Sequence, residues 1–159
     1  MKHLELIDLP EDVRAFVAEC ETSGKKTSFD RNGRPVAVLV SWDEYLALRE
    51  TIEVSNDAQL VAALRKSDAE AERGAIEQPY EDLERIRVPK WLAPRVIEGG
   101  DAIRAAFASI DDDPISGAPL FEPVRGLWSH RDGALRIVYR IVAEARFVLI
   151  LAIVRVETP

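Results

Sequence analysis

Residues 131–141 read RDGALRIVYRI, and their alternation decides how the second half of the chain is built. Asp132-Gly133 is a turn dipeptide, and Leu135 opens a strand behind it. Leu135, Ile137, Tyr139 and Ile141 fall on one face, and Arg136, Val138 and Arg140 on the other. Arg131 lies across the turn. A sheet face that only had to be soluble could use Lys, Thr or Glu. Repeated arginine asks for a chemical reason.

Working outward, Leu127–Arg131 reads as the strand before the turn and Leu135–Val142 as its return. Arg146–Val156 completes a three-stranded meander. The apolar run Phe147–Val154 suits a buried strand and is too short to span a bilayer. Upstream, Ile103, Phe107 and Ile110 have helical spacing in a segment near Gly100–Ile110, which ends at the loop Asp111–Pro114.

The first half is organised differently. Pro10 suits the first turn of a helix, with Glu11 and Asp12 at its positive end and Val13, Phe16, Val17 and Cys20 on its apolar side. Gly24 stops it. Lys26–Phe29 and Pro35–Val40 read as strands joined by Arg31-Asn32-Gly33-Arg34, a type I′ hairpin signal. Ser41 and Glu44 fit a capping box that opens a helix carrying Tyr45, Leu46, Leu48 and Ile52. A second helix, from about Asp57 to Arg73, has Leu60, Val61 and Leu64 as its apolar side and then turns polar, with Gly74 as its stop. Residues 75–87 offer scattered anchors, Ile76, Tyr80, Leu83 and Ile86, and read as an acidic arm lying on another surface.

The expectation is an α+β chain of 1–53, a hairpin-and-helix domain, 54–87, an acidic helix and arm, and 88–159, a meander sheet with at least one packed helix. Charge follows this division. Residues 1–50 hold 7 basic and 10 acidic side chains, residues 51–87 hold 5 and 9, and residues 88–159 hold 9 and 9. Eight of those last nine basic residues are arginine, the side chain that best forks onto phosphate. One cysteine excludes an internal disulfide and fits a reducing compartment. With no apolar leader in MKHLELIDLPED, a cytoplasmic location without membrane partners is expected. No Cys/His cluster for a metal, no Gly-rich phosphate loop and no local Cys/His nucleophile pair stands out, so neither metal nor cofactor is expected.

Two stretches resemble known families. FDRNGRPVAVLVSWDEYLAL is similar to the Phd/YefM antitoxins, in the Arg-Asn-Gly turn, the Pro-Val-Ala-Val-Leu-Val strand and the Ser-x-x-Glu-Tyr helix start. That resemblance spans about residues 4–87. DPISGAPLFEPVRGLWSHRDGALRIVYRI resembles the RelE/ParE toxins, in Asp113-Pro114, Gly117–Leu120, Gly126–Trp128, Arg131–Gly133 and Arg136–Ile141, over about residues 88–155. Together they resemble an antitoxin fused to its toxin. The chain departs from the toxin pattern between Val88 and Ile110, which leaves room for one good helix. It departs again at Val154–Pro159, which has no tyrosine.

The resemblance implies an mRNA endoribonuclease acting on the ribosome. Arg131, Arg136 and Arg155 would contact or stabilise the reacting phosphate, and His130 or Tyr139 would move protons. The residues themselves leave two other uses open: the arginines could pair with acids such as Asp132, Glu144 or the arm, and Tyr139 could pack in the core. For the antitoxin part the resemblance implies a homodimer on operator DNA, with Arg14, Lys25, Lys26, Arg31 and Arg34 as candidate phosphate contacts. Arg140 is a further candidate contact to nucleic acid. Leu60, Leu64, Ile76, Tyr80, Leu83 and Ile86 are the expected toxin-covering residues. The implied function is a self-neutralised toxin–antitoxin fusion with autorepression. The alternatives are a non-catalytic DNA-binding repressor and an interaction protein that neutralises a separate toxin.

Overall fold

The computed structural model describes residues 3–73 and 79–156. Contacts divide the chain into two units, Met1–Leu46 and Ala47–Pro159.

The first unit holds helix α1 (Glu11–Ser23), strands β1 (Thr27–Arg31) and β2 (Arg34–Leu39), and the start of α2 (Trp42–Asn56). Gly24 ends α1 at φ 65°, a left-handed cap that glycine adopts without strain. Asn32 and Gly33 have φ of 52° and 75°, as a type I′ turn requires. The Glu44 backbone N–H donates to Ser41 Oγ at 3.1 Å, so the cap forms. Its reciprocal half does not, because the Glu44 carboxylate pairs with Lys26 at 2.6 Å. Phe16 and Phe29 meet edge to face. Much apolar surface stays outside, including Leu4, Ile7, Val36, Val38 and Trp42.

The second unit contains the rest of α2, α3 (Ala58–Glu72), α4 (Ala93–Asp112) and a six-stranded sheet. Its strands are β3 (Pro79–Tyr80), β4 (Leu83–Arg87), β5 (Ala118–Pro119), β6 (Trp128–Asp132), β7 (Leu135–Val142) and β8 (Phe147–Arg155), in the order β3-β4-β8-β7-β6-β5. Neighbours are antiparallel except β4 and β8, which run parallel with Ile86 opposite Val148.

Tyr80, Leu83 and Ile86 were expected in an arm covering a sheet, and here they belong to the sheet itself, packed on its α4 side. The reason is β8. Its central residues are apolar and buried, so its backbone groups on that edge need a strand partner rather than water. The charged pentapeptide LERIR supplies one despite its weak pattern. Ile76 and the expected stop at Gly74 lie outside the described residues. Helix α4 starts earlier than its sequence spacing indicates and breaks at Gly100, whose φ of 51° and ψ of −134° interrupt the helix.

Both faces of the sheet are covered. On one, Ile103, Phe107 and Ile110 of α4 pack with Ile137, Tyr139 and Ile150. On the other, Val54 of α2 and Leu60 and Leu64 of α3 pack with Val138, Leu149 and Leu151. Each buried leucine on α3 contributes about 1.5–3 kcal/mol. Between β7 and β8 the register passes from Val138↔Ala152 to Tyr139↔Ile150. Leu151 is therefore the extra residue of a β-bulge, and Leu151 and Ala152 both join the core under α2 and α3.

Candidate functional site

The arginines of the opening stretch lie beneath α2 and α3. Arg136 is only 3% exposed. Its Nε donates to Glu50 Oε1 at 2.6 Å, and its Nη2 donates to Glu50 Oε2 at 3.2 Å and to Glu53 Oε2 at 2.5 Å. This is the forked guanidinium–carboxylate geometry that makes a charged hydrogen bond strong and directional. Ser129 Oγ donates to the same Glu50 Oε1. Arg131, opposite Arg136 in the ladder, donates to Glu53 Oε2 at 3.0 Å. Farther along β7, Arg140 Nη2 donates to Asp68 Oδ2 of α3 at 2.8 Å.

Helical spacing delivers the acids. Ala47, Glu50, Thr51 and Val54 form the buried stripe of α2, with Glu53 on its margin. Thr51 Oγ1 accepts the Phe121 backbone N–H at 3.0 Å, which ties the same stripe to the loop before β6. On α3 the side chain of Asp57 caps the start by accepting from the Leu60 N–H. The stripe Leu60, Leu64, Ser67, Asp68 then faces the sheet. The segment after Leu64, expected to have almost nothing to bury, buries the polar Ser67, whose Oγ lies 2.9 Å from the Leu151 carbonyl oxygen. Burial alone would raise the Glu53 pKa, but the hydrogen bond and charge of Arg136, and then Arg131, outweigh it and hold Glu53 below its ordinary value.

The expected catalytic residues are not gathered on one face. Cross-strand partners share a face. Arg131, Arg136 and Val138 lie on the α2/α3 side. His130 pairs with Ile137 and Arg155 with Leu135, which puts both with Tyr139 on the α4 side. Burial pushes the His130 pKa down, and Asp132 partly opposes this. The buried Tyr139 hydroxyl donates to the Pro114 carbonyl at 2.8 Å, and burial raises its pKa to about 12. Arg155 borders an open groove of about 860 Å³ with Arg95, Glu98 and Asp132.

In the first unit, Arg14, Arg31 and Arg34 are exposed, and they form no ion pair among the described residues. Lys25 pairs with Glu19 and Lys26 with Glu44. Sequence reasoning missed Glu50, Glu53 and Asp68. The signal was present: two glutamates three residues apart on a helix flank its apolar stripe, where a charge needs a partner. Among the described residues no His/Cys/Asp/Glu group could hold a metal ion, and no helix is long and apolar enough to cross a membrane.

No family model matches the chain. Antitoxin RelB of Mycobacterium tuberculosis (strain ATCC 25618 / H37Rv) is 34% identical over 59 residues, which are 37% of this chain and 66% of that protein. The chain thus spans just under two thirds of that curated relative. A solved structure from the same organism, the toxin–antitoxin complex RelBE2, aligns with a TM-score of 0.37 and 28% identity over 45% of this chain and 95% of that one. The sequence match relates the chain to proteins of toxin–antitoxin systems.

Proposed function

We propose that the chain is a self-neutralised toxin–antitoxin fusion. In this reading the antitoxin part runs through α3, and the RelE-like part begins at β3 rather than near residue 88. The observation that carries it is the burial of Arg136 under Glu50 and Glu53. Arginine on a sheet face suits the negative charge that gathers on phosphate during RNA cleavage. Two carboxylates from the preceding helix occupy that guanidinium instead. Tethering holds α2 and α3 at a high effective concentration over the face, so the resting chain is inactive.

The uncovered face would engage mRNA on the ribosome through Arg131, Arg136 and Arg140. His130, Tyr139 and Arg155 serve the opposite side of the sheet in this reading, and Tyr139 is a packing residue. The first unit would pair with a second copy through its exposed apolar residues. That dimer would present Arg14, Arg31 and Arg34 to operator DNA, with Lys25 and Lys26 held in ion pairs beside them. The setting is the cytoplasm.

The test is expression of residues 79–159 in bacteria beside the full chain, with folding of the fragment checked by circular dichroism. Growth arrest and mRNA cleavage by the fragment are expected. Arg136→Ala should relieve both, as should residues 1–73 supplied separately. A folded fragment that leaves growth and mRNA untouched would overturn the nuclease reading.

A further inference from the structure

The bulge at Leu151 gives the covered face a feature that the arginines do not explain. Strand β4 ends at Arg87, opposite Leu149. Beyond that point β8 has no strand on its β4 side among the described residues. Leu151 has no partner in β7 either, because the register skips it. Its carbonyl oxygen is approached by the Ser67 hydroxyl of α3 at 2.9 Å. Ser67 Oγ also lies 2.7 Å from the Ala63 carbonyl of its own helix. A hydroxyl has one proton, so the two carbonyls share it.

The position of this acceptor matters. Along β8, Leu151 stands between Val154, opposite Arg136, and Leu149, opposite Arg140. At roughly 3.3 Å per residue, the acceptor lies within about 10 Å of each arginine row along the strand. The cover therefore meets the face at three polar points in order: the carboxylates of Glu50 and Glu53, the hydroxyl of Ser67, and the carboxylate of Asp68. Anion, hydroxyl, anion also recurs along an RNA strand, in which 2′-hydroxyls lie between phosphates. A single-stranded DNA offers the anions without the hydroxyl.

We infer that the Leu151 carbonyl is a ribose-reading position, which accepts a hydrogen bond from a 2′-hydroxyl when α3 is lifted and from Ser67 when α3 is down. The inference rests on the reading of this face as an RNA surface, and it assigns the discrimination of RNA from DNA to a backbone atom. A carbonyl can only accept, so the ligand must donate. Helix α3 is held more loosely than α2: the Arg140–Asp68 pair is about one-third exposed on both sides, and Asp68 Oδ1 is buried without a hydrogen-bond partner. The Arg136 clamp on α2 is far more enclosed.

The experiment uses the full chain carrying Leu60→Gln, Leu64→Gln and Asp68→Asn, which removes the apolar anchors and the ion pair of α3 and leaves the α2 clamp intact. Hydrogen exchange of residues 58–72 monitors lifting. Fluorescence anisotropy then compares three labelled twelve-residue oligonucleotides of one sequence: RNA, its 2′-fluoro form and DNA. The 2′-fluoro form lacks the hydroxyl donor and keeps an RNA-like sugar. Binding of RNA roughly three- to tenfold tighter than either of the others is expected, the range one hydrogen bond supplies. Equal binding of RNA and the 2′-fluoro strand would overturn the inference and leave the RNA-surface reading standing. Binding of none of the three with α3 lifted would overturn the inference alone, because Glu50 and Glu53 still occupy Arg136 in this variant. A milder full-chain variant, Ser67→Ala with Asp68→Asn, keeps the leucine anchors and carries the same comparison if the first variant does not fold.

Discussion

Glu50 and Arg136 are 86 positions apart in the chain, yet the Arg136 Nε–H donates to Glu50 Oε1 at 2.6 Å in a buried contact. Neither charge has an alternative in water, so each is costly without the other. Glu50→Ala should destabilise the fold by about 3–5 kcal/mol, because the guanidinium is left buried with only Glu53 at its edge. Replacing both, as Glu50→Leu with Arg136→Met, should cost less than either single change. Urea unfolding of the wild type, Glu50→Ala, Glu50→Leu, Arg136→Met and the double variant checks this. Additive losses would show that the two residues do not act as a pair.

Glu53 links the same clamp to acid. Burial opposes its ionisation, but Arg136 and Arg131 more than compensate, so its folded pKa lies below the ordinary 4.5. A depressed carboxylate stabilises the fold fully above its unfolded pKa, and that stability is lost as pH falls through the folded value. The loss therefore belongs below about pH 4.5. Glu53→Gln should flatten the stability profile in that window and leave its shape above pH 5 unchanged. Denaturation midpoints measured from pH 3 to 7 decide it.

His130 acts at higher pH. Burial lowers its pKa from 6.5, with Asp132 partly offsetting the shift. The unfolded chain then binds more protons than the folded one below about pH 6.5. The stability from neutral His130 is complete above that pH and falls as pH drops towards the folded pKa. Asp132→Asn removes the opposing charge and should move the His130 titration to still lower pH. Proton NMR of its imidazole reads the shift, and an upward movement would contradict this account.

Gly117 and Tyr139 form a close contact on the α4 side. A Cβ at Gly117 would lie 2.5 Å from the Tyr139 hydroxyl oxygen and 2.8 Å from the Ser129 carbonyl oxygen. The second neighbour is backbone and cannot swing away. Gly117→Ala should cost about 1–3 kcal/mol through overpacking. Tyr139→Phe removes the bond to the Pro114 carbonyl and should cost about 0.5–1.5 kcal/mol. Thermal unfolding with both variants tests the order of these effects. A neutral Gly117→Ala would mean that β6 yields more readily than a paired strand should.

Local signals in the sequence carried much of the architecture. The Asn32-Gly33 turn, the Ser41 cap, the Asp57-led helix and the strand Leu135–Val142 all depend on neighbouring residues, and all are present. The failures depend on distant partners. LERIR has too few apolar residues to announce a strand, and only the open edge of β8 makes it one. The arginine face was legible as unusual, but its acids were sought in Asp132, Glu144 and the arm. They come instead from α2 and α3. No periodicity reveals that α2 reaches this face beside α3. The split of Arg136 from His130, Tyr139 and Arg155 was readable from strand alternation once the register across the turn was known.

The separation of Glu50 from Arg136 also has a meaning in time. The chain is made from its N-terminus, so α2 and α3 are synthesised before any residue of β7 exists. At about 5–20 residues per second, the interval between Glu50 and Arg136 is roughly 4–17 s. The acids are thus already waiting when each arginine emerges. A separately encoded partner must find its target by diffusion after both are finished. In this chain the arginine face is born into the company of its acids.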